Sequence, residues 1–339
     1  MRTREGRRGL LFICILAVVL LALLLLSFGL GRYAVPPAEV IRILLSRIFP
    51  VTPSWTEQME TAIISIRLPR ILLACMVGGC LSAAGTAYQS VFRNPMAAPD
   101  ILGASSGACF GAALAILLGF SRSGVTALAF VSSLLSVALV YAIARRAKGN
   151  PVTMLLLAGV MIGSLFSACT SYVKLVADPT NQLPAITYWL MGSLSGTRMN
   201  AVGFAAVPML IGLAPLLALR WRINLLTLDE EEARSMGVNT GRLRLVVILC
   251  ATVLTATCVA VSGMIGWVGL VIPHLSRKLV GSNCRYLLPA STIFGAIFLL
   301  LVDNISRNLL ATEIPIGILT AFVGAPFFLY LMTRKEQLL

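Results

Sequence analysis

The chain has 339 residues, of which 58% are hydrophobic and 12% charged, with a formal net charge of +14. That hydrophobic share excludes an ordinary soluble domain and points to an all-α polytopic membrane protein whose first partner is the lipid bilayer. The basic residues are scattered between apolar runs and never form a basic face interleaved with aromatics, so no nucleic-acid partner is expected and orientation in the membrane accounts for them.

Arg2, Arg4, Arg7 and Arg8 precede an uncharged run over 9–31. This run exceeds the core of a signal peptide, about 7–15 residues, and no Ala-x-Ala site follows it. It predicts a first transmembrane helix that starts in the cytoplasm. Residues 32–66 mix charges with Pro36, Pro37, Pro50 and Pro53 and hold an amphipathic piece over 38–49, which predicts an external loop. A second span is expected over 71–92, where Gly78, Gly79, Ser82, Ala83, Ala84 and Gly85 suit close helix contact in lipid. A polar turn containing Arg93, Asn94, Pro95, Pro99 and Asp100 leads to a third span over 101–121. Spans four and five follow over 123–144 and 152–173, separated by Arg145, Arg146 and Lys148. Residues 174–198, with Pro179, Pro184 and Trp189, read as an outer loop with an interfacial segment, and a sixth span is expected over 199–219.

The stretch Arg220–Arg244 breaks this pattern. Its consecutive acids, Asp229 to Glu232, would cost roughly 10 kcal/mol or more at the centre of a bilayer, so they lie outside it. Thr227 and Glu230 have capping-box spacing, the acids favour a helix N-terminus and Gly237 is a natural stop. Together these predict a short helix at 228–236, in a loop that Arg220, Arg222, Arg242 and Arg244 hold on the cytoplasmic side. A polar helix between membrane blocks is a handle for another protein.

Residues 245–276 then form an uncharged run too long for one crossing. A break at Ser262-Gly-Met-Ile-Gly-Trp-Val-Gly269 divides it into spans seven and eight and returns Arg277, Lys278 and Arg285 to the cytoplasm. Spans nine and ten are expected over 286–303 and 314–333, with Arg334 and Lys335 inside. The sum is about ten spans in one transmembrane domain over 1–339, with both termini cytoplasmic.

Little in this chain points to catalysis. No Gly-x-x-x-x-Gly-Lys-Ser/Thr phosphate cradle occurs, so any ATP is hydrolysed by another subunit. The one histidine, His274, and the eight cysteines have no metal or redox spacing, and no metal site is expected. Asp303 and Arg307 stand at i,i+4 and predict a mutual ion pair at the outer end of span nine. Two polar, broken segments, 89–108 and 262–283, occupy corresponding places before and after the central loop. Such matched breaks point to a transport pathway near a repeat interface.

Several motifs resemble one family. They are Arg67-Leu-Pro-Arg70, Gly85-x-x-x-Gln89, Arg93-Asn-Pro-Met-Ala-Ala-Pro-Asp-Ile-Leu-Gly103, Gly266-Trp-Val-Gly-Leu-Val-Ile-Pro-His274, Asp303-x-x-x-Arg307, and Ile314-Pro-Ile-Gly317 through Gly324-Ala-Pro-Phe-Phe328. With the central segment they resemble permease subunits of ATP-binding-cassette importers for ferric siderophores, haem and cobalamin, the type II permease fold. Departures are Asp229 where the family usually has Gly, Met96 where it has Leu, Met264 where Pro is common and Trp267 where Phe is usual.

The resemblance implies a second copy of the chain or a close paralogue, two ATPase subunits and an extracytoplasmic substrate-binding protein, in a bacterial cytoplasmic (inner) membrane. It implies no cofactor on this chain, ATP and magnesium being held by the ATPase. It assigns ATPase coupling to Leu228, Asp229, Glu230, Glu231, Glu232, Ala233, Arg234, Ser235, Met236 and Gly237. It assigns binding-protein docking to Arg67, Arg70 and Arg307, and the pathway and its cytoplasmic gate to Gln89, Asn94, Met96, Val152 and Thr153. A ferric siderophore is the expected cargo, with haem and cobalamin as alternatives; a secondary transporter is the remote alternative, since only Asp100 and Asp303 offer carboxylates near the spans.

Overall fold

The computed structural model describes residues 4–333 apart from Arg32, Val51, Asp229 and Ala311. Among these residues every regular element is helical. The helices are α1 (Arg4–Gly29), α2 (Pro37–Leu45), α3 (Glu57–Glu60), a π-helical turn (Thr61–Arg67), α4 (Leu68–Val91), α5 (Ala104–Leu117), α6 (Arg122–Arg146) and α7 (Pro151–Val176). They continue with α8 (Gln182–Leu190), α9 (Met199–Ile223), a 3-10 turn (Asn224–Thr227), α10 (Glu230–Ser235), α11 (Thr240–Ser262), α12 (Val268–Val280), α13 (Cys284–Asn308) and α14 (Ile316–Thr333). Seven described helical segments are long and apolar enough to cross a membrane.

The bundle is built around α4. In the run Glu57–Val91, 83% of the most apolar window is buried, against 11% in α1, which lies at the edge. The small residues that mark α4 explain its place. A Cβ on Gly78 would sit 2.2 Å from the Gly295 carbonyl oxygen of α13, and one on Gly85 would sit 1.8 Å from that of Gly269 in α12. Backbones therefore touch where any larger residue would hold them apart.

Three expectations change. Residues 57–66, assigned to the external loop, are helical and run without a break into α4. Thr56 caps this start by accepting from the Met59 N–H, Glu57 and Glu60 sit in the first turn, and Ile63 is fully buried. The π turn ends just before Pro69, whose ring would clash with the carbonyl four residues back, and the wider turn relieves that contact. The third span shrinks from 101–121 to Ala104–Leu117, since Gly103 and Gly119 both take left-handed backbone angles, φ 74° and 73°. At 14 residues it is about 21 Å long, short of the hydrocarbon thickness of about 30 Å. The eighth span is likewise a half-helix, α12, of 13 residues. Such broken crossings are tolerated only where protein or a cavity covers the freed backbone, which is their setting here.

The expected break is present at 263–267, with Gly263 at φ 69°. Three helices that follow basic connections start on asparagine caps. Asn150 accepts from the Val152 and Thr153 N–H groups, Asn239 from Arg242 and Asn283 from Arg285.

Candidate functional site

Helix α7 is apolar, yet one exposed line along it, Val160, Ser164, Ser167 and Ser171, carries hydroxyls. The spacing of three and four residues puts these on one face. Ser164 donates to the Val160 carbonyl at 2.8 Å and Ser171 to that of Ser167 at 3.0 Å, so the hydroxyl protons are satisfied on their own helix while the oxygens keep acceptor capacity. This face borders a cavity of about 570 Å³ whose other wall is the turn after α4, with Met96 and Asp100, and the first turn of α5, with Ser106. A Cβ on Gly159 would fall 2.3 Å from the Ile101 carbonyl oxygen, so α7 lies directly on that turn.

A larger cavity, about 770 Å³, opens on the far side of the same turn. Pro99 and Asp100 face it together with Met264 and Trp267 from the break before α12 and Gly317 and Phe322 from α14. Trp267 holds φ 70°, a left-handed angle uncommon outside glycine. Its side chain packs on Gly324, where a Cβ would come within 2.5 Å, and meets Phe328 edge-on at 6.2 Å between centroids. The two segments singled out in the sequence are thus brought together. Gln89 joins them, its amide donating to the Leu270 carbonyl at 3.4 Å and its oxygen accepting from Arg277 at 2.9 Å.

Of the expected gate residues, Asn94 folds the turn by accepting from the Met96 N–H at 2.9 Å, and Met96 reaches the smaller cavity. Val152 and Thr153 sit at the capped start of α7, and neither is among the residues lining that cavity. Gln89 is buried and bonded to α12, so it ties the two broken segments together.

At the end of the molecule where α4 stops, the central connection is a 3-10 turn closed by Thr227 donating to the Asn224 carbonyl at 2.6 Å. Leu228 is extended, so the expected helix at 228–236 is shorter, Glu230–Ser235, and Asp229 lies outside the described residues. The reason is local: Thr227 spends its hydroxyl on the turn behind it. Ala233 is fully buried, the Ser235 hydroxyl donates to the Glu232 carbonyl at 2.7 Å, and Met236 closes on Glu232 at 3.3 Å. Gly237 at φ 76° ends the helix as its type predicts. Arg93, just past the C-cap Phe92 of α4, donates to the Leu226 carbonyl at 3.0 Å and to that of Leu228.

Arg70 stands at the opposite end of α4, about 32 Å from Val91 at 1.5 Å per residue. The expected docking arginines do gather here, but none is free on the surface. Arg67, Arg70 and Arg307 are 4%, 5% and 7% exposed. Arg67 donates to the carbonyls of Phe28 and Tyr33, tying α1 to the start of α4. Arg70 bonds Asp303 at 2.9 Å and, through Nη1, both oxygens of Glu313 at 2.9 Å. Arg307 donates to the Ser27 carbonyl at 3.0 Å and to Asn304, and its Nε stays 3.7 Å from Asp303. The expected pair of Asp303 with Arg307 is therefore the looser contact, and Arg70, 233 positions away in sequence, takes the carboxylate. Burial drives this: a fully buried Asp303 needs the nearest strong donor from a packed neighbour.

Glu313, Asn304, Ser27 and Asn283 carry no role in the reading of the sequence, and Arg277 figures there only as a cytoplasmic charge. Only Glu313 left a signal there, as an acid two residues before Pro315 at a helix start.

The comparisons agree with this picture. The model of the FecCD transport family matches residues 19–334. The molybdate import system permease protein of Haemophilus influenzae is 42% identical over 322 residues, covering 95% of both chains. The Fe(3+)-citrate import system permease protein of Bacillus subtilis is 40% identical over 342 residues, covering 99% of this chain and 98% of its own. A metal-chelate type ABC transporter, solved in an inward-facing conformation, superposes with a TM-score of 0.85 at 41% identity over 94% of this chain and 98% of its own. With most of its length matched and its two broken segments folded around two cavities, this multi-pass membrane protein is a transport permease and belongs to the FecCD transport family.

Proposed function

We propose that the chain is the permease subunit of a bacterial importer in the cytoplasmic membrane, driven by two separate ATPase subunits. The observation that carries this reading is the hydroxyl-bearing face of α7 beside a cavity, on a helix otherwise suited to lipid. An exposed polar line on a membrane helix has a use where it faces a partner copy and water, so α7 would line a pathway between two copies of the chain. The 224–237 connection, with its coupling residues Leu228 to Gly237, would dock on the ATPase in the cytoplasm. The Arg67, Arg70 and Arg307 end would meet an extracytoplasmic binding protein. Because Arg70 is already held by Glu313, whose side chain is 28% exposed, an arriving carboxylate would have to exchange with that glutamate.

The cargo we favour is an iron chelate such as a ferric siderophore, supported by the Fe(3+)-citrate relative. Molybdate is a second reading, absent from the sequence analysis and raised by the Haemophilus relative. The neutral line on α7 carries no fixed charge that would hold a passing chelate in place, so its contacts there would be weak and mainly dispersive.

Charge reversal of the connection tests the assignment. Glu231→Arg with Arg234→Glu is expected to leave membrane insertion intact, to cut ATPase copurification at least tenfold, and to abolish uptake of both iron-55 chelates and molybdate. Unchanged copurification and uptake would sink the docking assignment. Labelling of Glu231→Cys from outside the cell would overturn the orientation.

A further inference from the structure

We propose that Arg93 and Asn224 form a two-point clamp that passes movement of the 224–237 connection to both broken segments at once. Both are positioning residues of the transport cycle. The inference rests on reading that connection as the ATPase-docking segment, and it deepens that reading by naming the path from the dock to the cavities.

The first point is Arg93. It follows the last turn of α4 at φ 49°, in the left-handed region, and the Asn94 N–H returns to the Gln89 carbonyl at 3.2 Å. That is the helix ending in which glycine ordinarily takes this position, because it alone adopts the angle without strain. Backbone geometry gives no reason for arginine. The side chain does, since its guanidinium donates to two carbonyls of the connection, Leu226 and Leu228. A residue kept in a costly backbone angle while its side chain grips another segment is a mark of a mechanical role. The same residue begins the turn that carries Met96 and Asp100 to the cavities.

The second point is Asn224, at the head of the 3-10 turn. Its Oδ1 accepts from the Cys284 N–H at 2.7 Å and its Nδ2 donates to Asn283 Oδ1 at 3.0 Å. Asn283 in turn caps α13 through the Arg285 N–H at 3.0 Å, so Asn224 is bonded to the corner where α12 ends. The connection thus holds the first broken segment through Arg93 and the second through the α12–α13 corner.

The two segments are also fixed to each other. Gln89 bonds Arg277 and the Leu270 carbonyl, and a Cβ on Gly269 would stand 2.2 Å from Pro99. A displacement entering at the connection cannot move one segment and leave the other behind. The clamp bonds run to carbonyls, an amide and a neutral side chain, so they can slide to new partners without stranding a buried charge.

The test uses the full complex of permease and ATPase subunits in lipid nanodiscs. Hydrogen exchange is measured over 94–103 and 263–267, with and without magnesium ATP and vanadate. In the unmodified complex ATP is expected to change exchange in both turns. Arg93→Ala is expected to lose at least half of the change in both, while ATP hydrolysis stays within twofold and the melting temperature of the permease falls no further than in Gln89→Leu. Asn224→Ala is expected to lose it chiefly over 263–267, and Arg93→Lys, which keeps a single donor group, to fall between. If Arg93→Ala does not assemble, Arg93→Lys and Asn224→Ala carry the test. An ATP response that persists undiminished in these variants, or is missing from the unmodified complex, overturns the clamp. Failure of ATPase subunits to copurify with the unmodified chain would instead overturn the docking reading beneath it.

Discussion

The two ends of α4 hold their arginines differently. At the Arg70 end Arg70 meets two carboxylates, Asp303 and Glu313, and Arg307 stands close to Asp303, while Arg67 bonds the carbonyls of Phe28 and Tyr33. At the Arg93 end the arginines bond neutral groups, the carbonyls of Leu226 and Leu228 and the side chain of Gln89. A buried charge bonded to a charge is costly to separate, because each partner is left uncompensated. A guanidinium on a carbonyl gives up only a hydrogen bond and can find another. One end is therefore a lock that fixes α1, α4 and α13 together, and the other is a linkage that can be driven.

The sharpest way to break this contrast is at Asp303. Asp303→Asn leaves the shape but removes the charge facing Arg70 and Arg307, and a loss of about 3–5 kcal/mol is expected. Thermal melting of the detergent-solubilised protein, read by size exclusion, is expected to fall steeply; a shift no larger than that of a surface variant would refute the lock.

Gln89→Leu probes the other end. It leaves Arg277 and the Leu270 carbonyl without that partner, at a cost of about 1–3 kcal/mol, so a smaller fall in melting temperature is expected. A fall equal to that of Asp303→Asn would erase the difference between the ends.

The smallest effect is expected at Glu313, whose half-open side chain meets water. Glu313→Gln is expected to cost about 1 kcal/mol or less in stability, yet to raise the affinity of the binding protein severalfold at low salt by freeing Arg70. Unchanged or weaker docking, measured by surface plasmon resonance, would rule out Glu313 as the acid that is exchanged.

Much of this was legible in the chain. Hydrocarbon runs, basic connections and the acids 229–232 determine that it is a membrane bundle and where the polar connection lies, since the bilayer penalises charge and unpaired backbone at any position. Gly237, the break at 263–267 and the small residues of α4 are read locally, because a left-handed turn or a backbone contact demands a residue type. The extension of the second span through 57–67 and the shortening of the third depend on what covers a bent or broken helix, which a linear pattern does not contain. The partner of Asp303 depended on packing alone. Sequence proximity offered Arg307, four residues on, whereas α4 lying against α13 brought Arg70 within 2.9 Å, and a fully buried carboxylate bonds the donor that tertiary contact supplies.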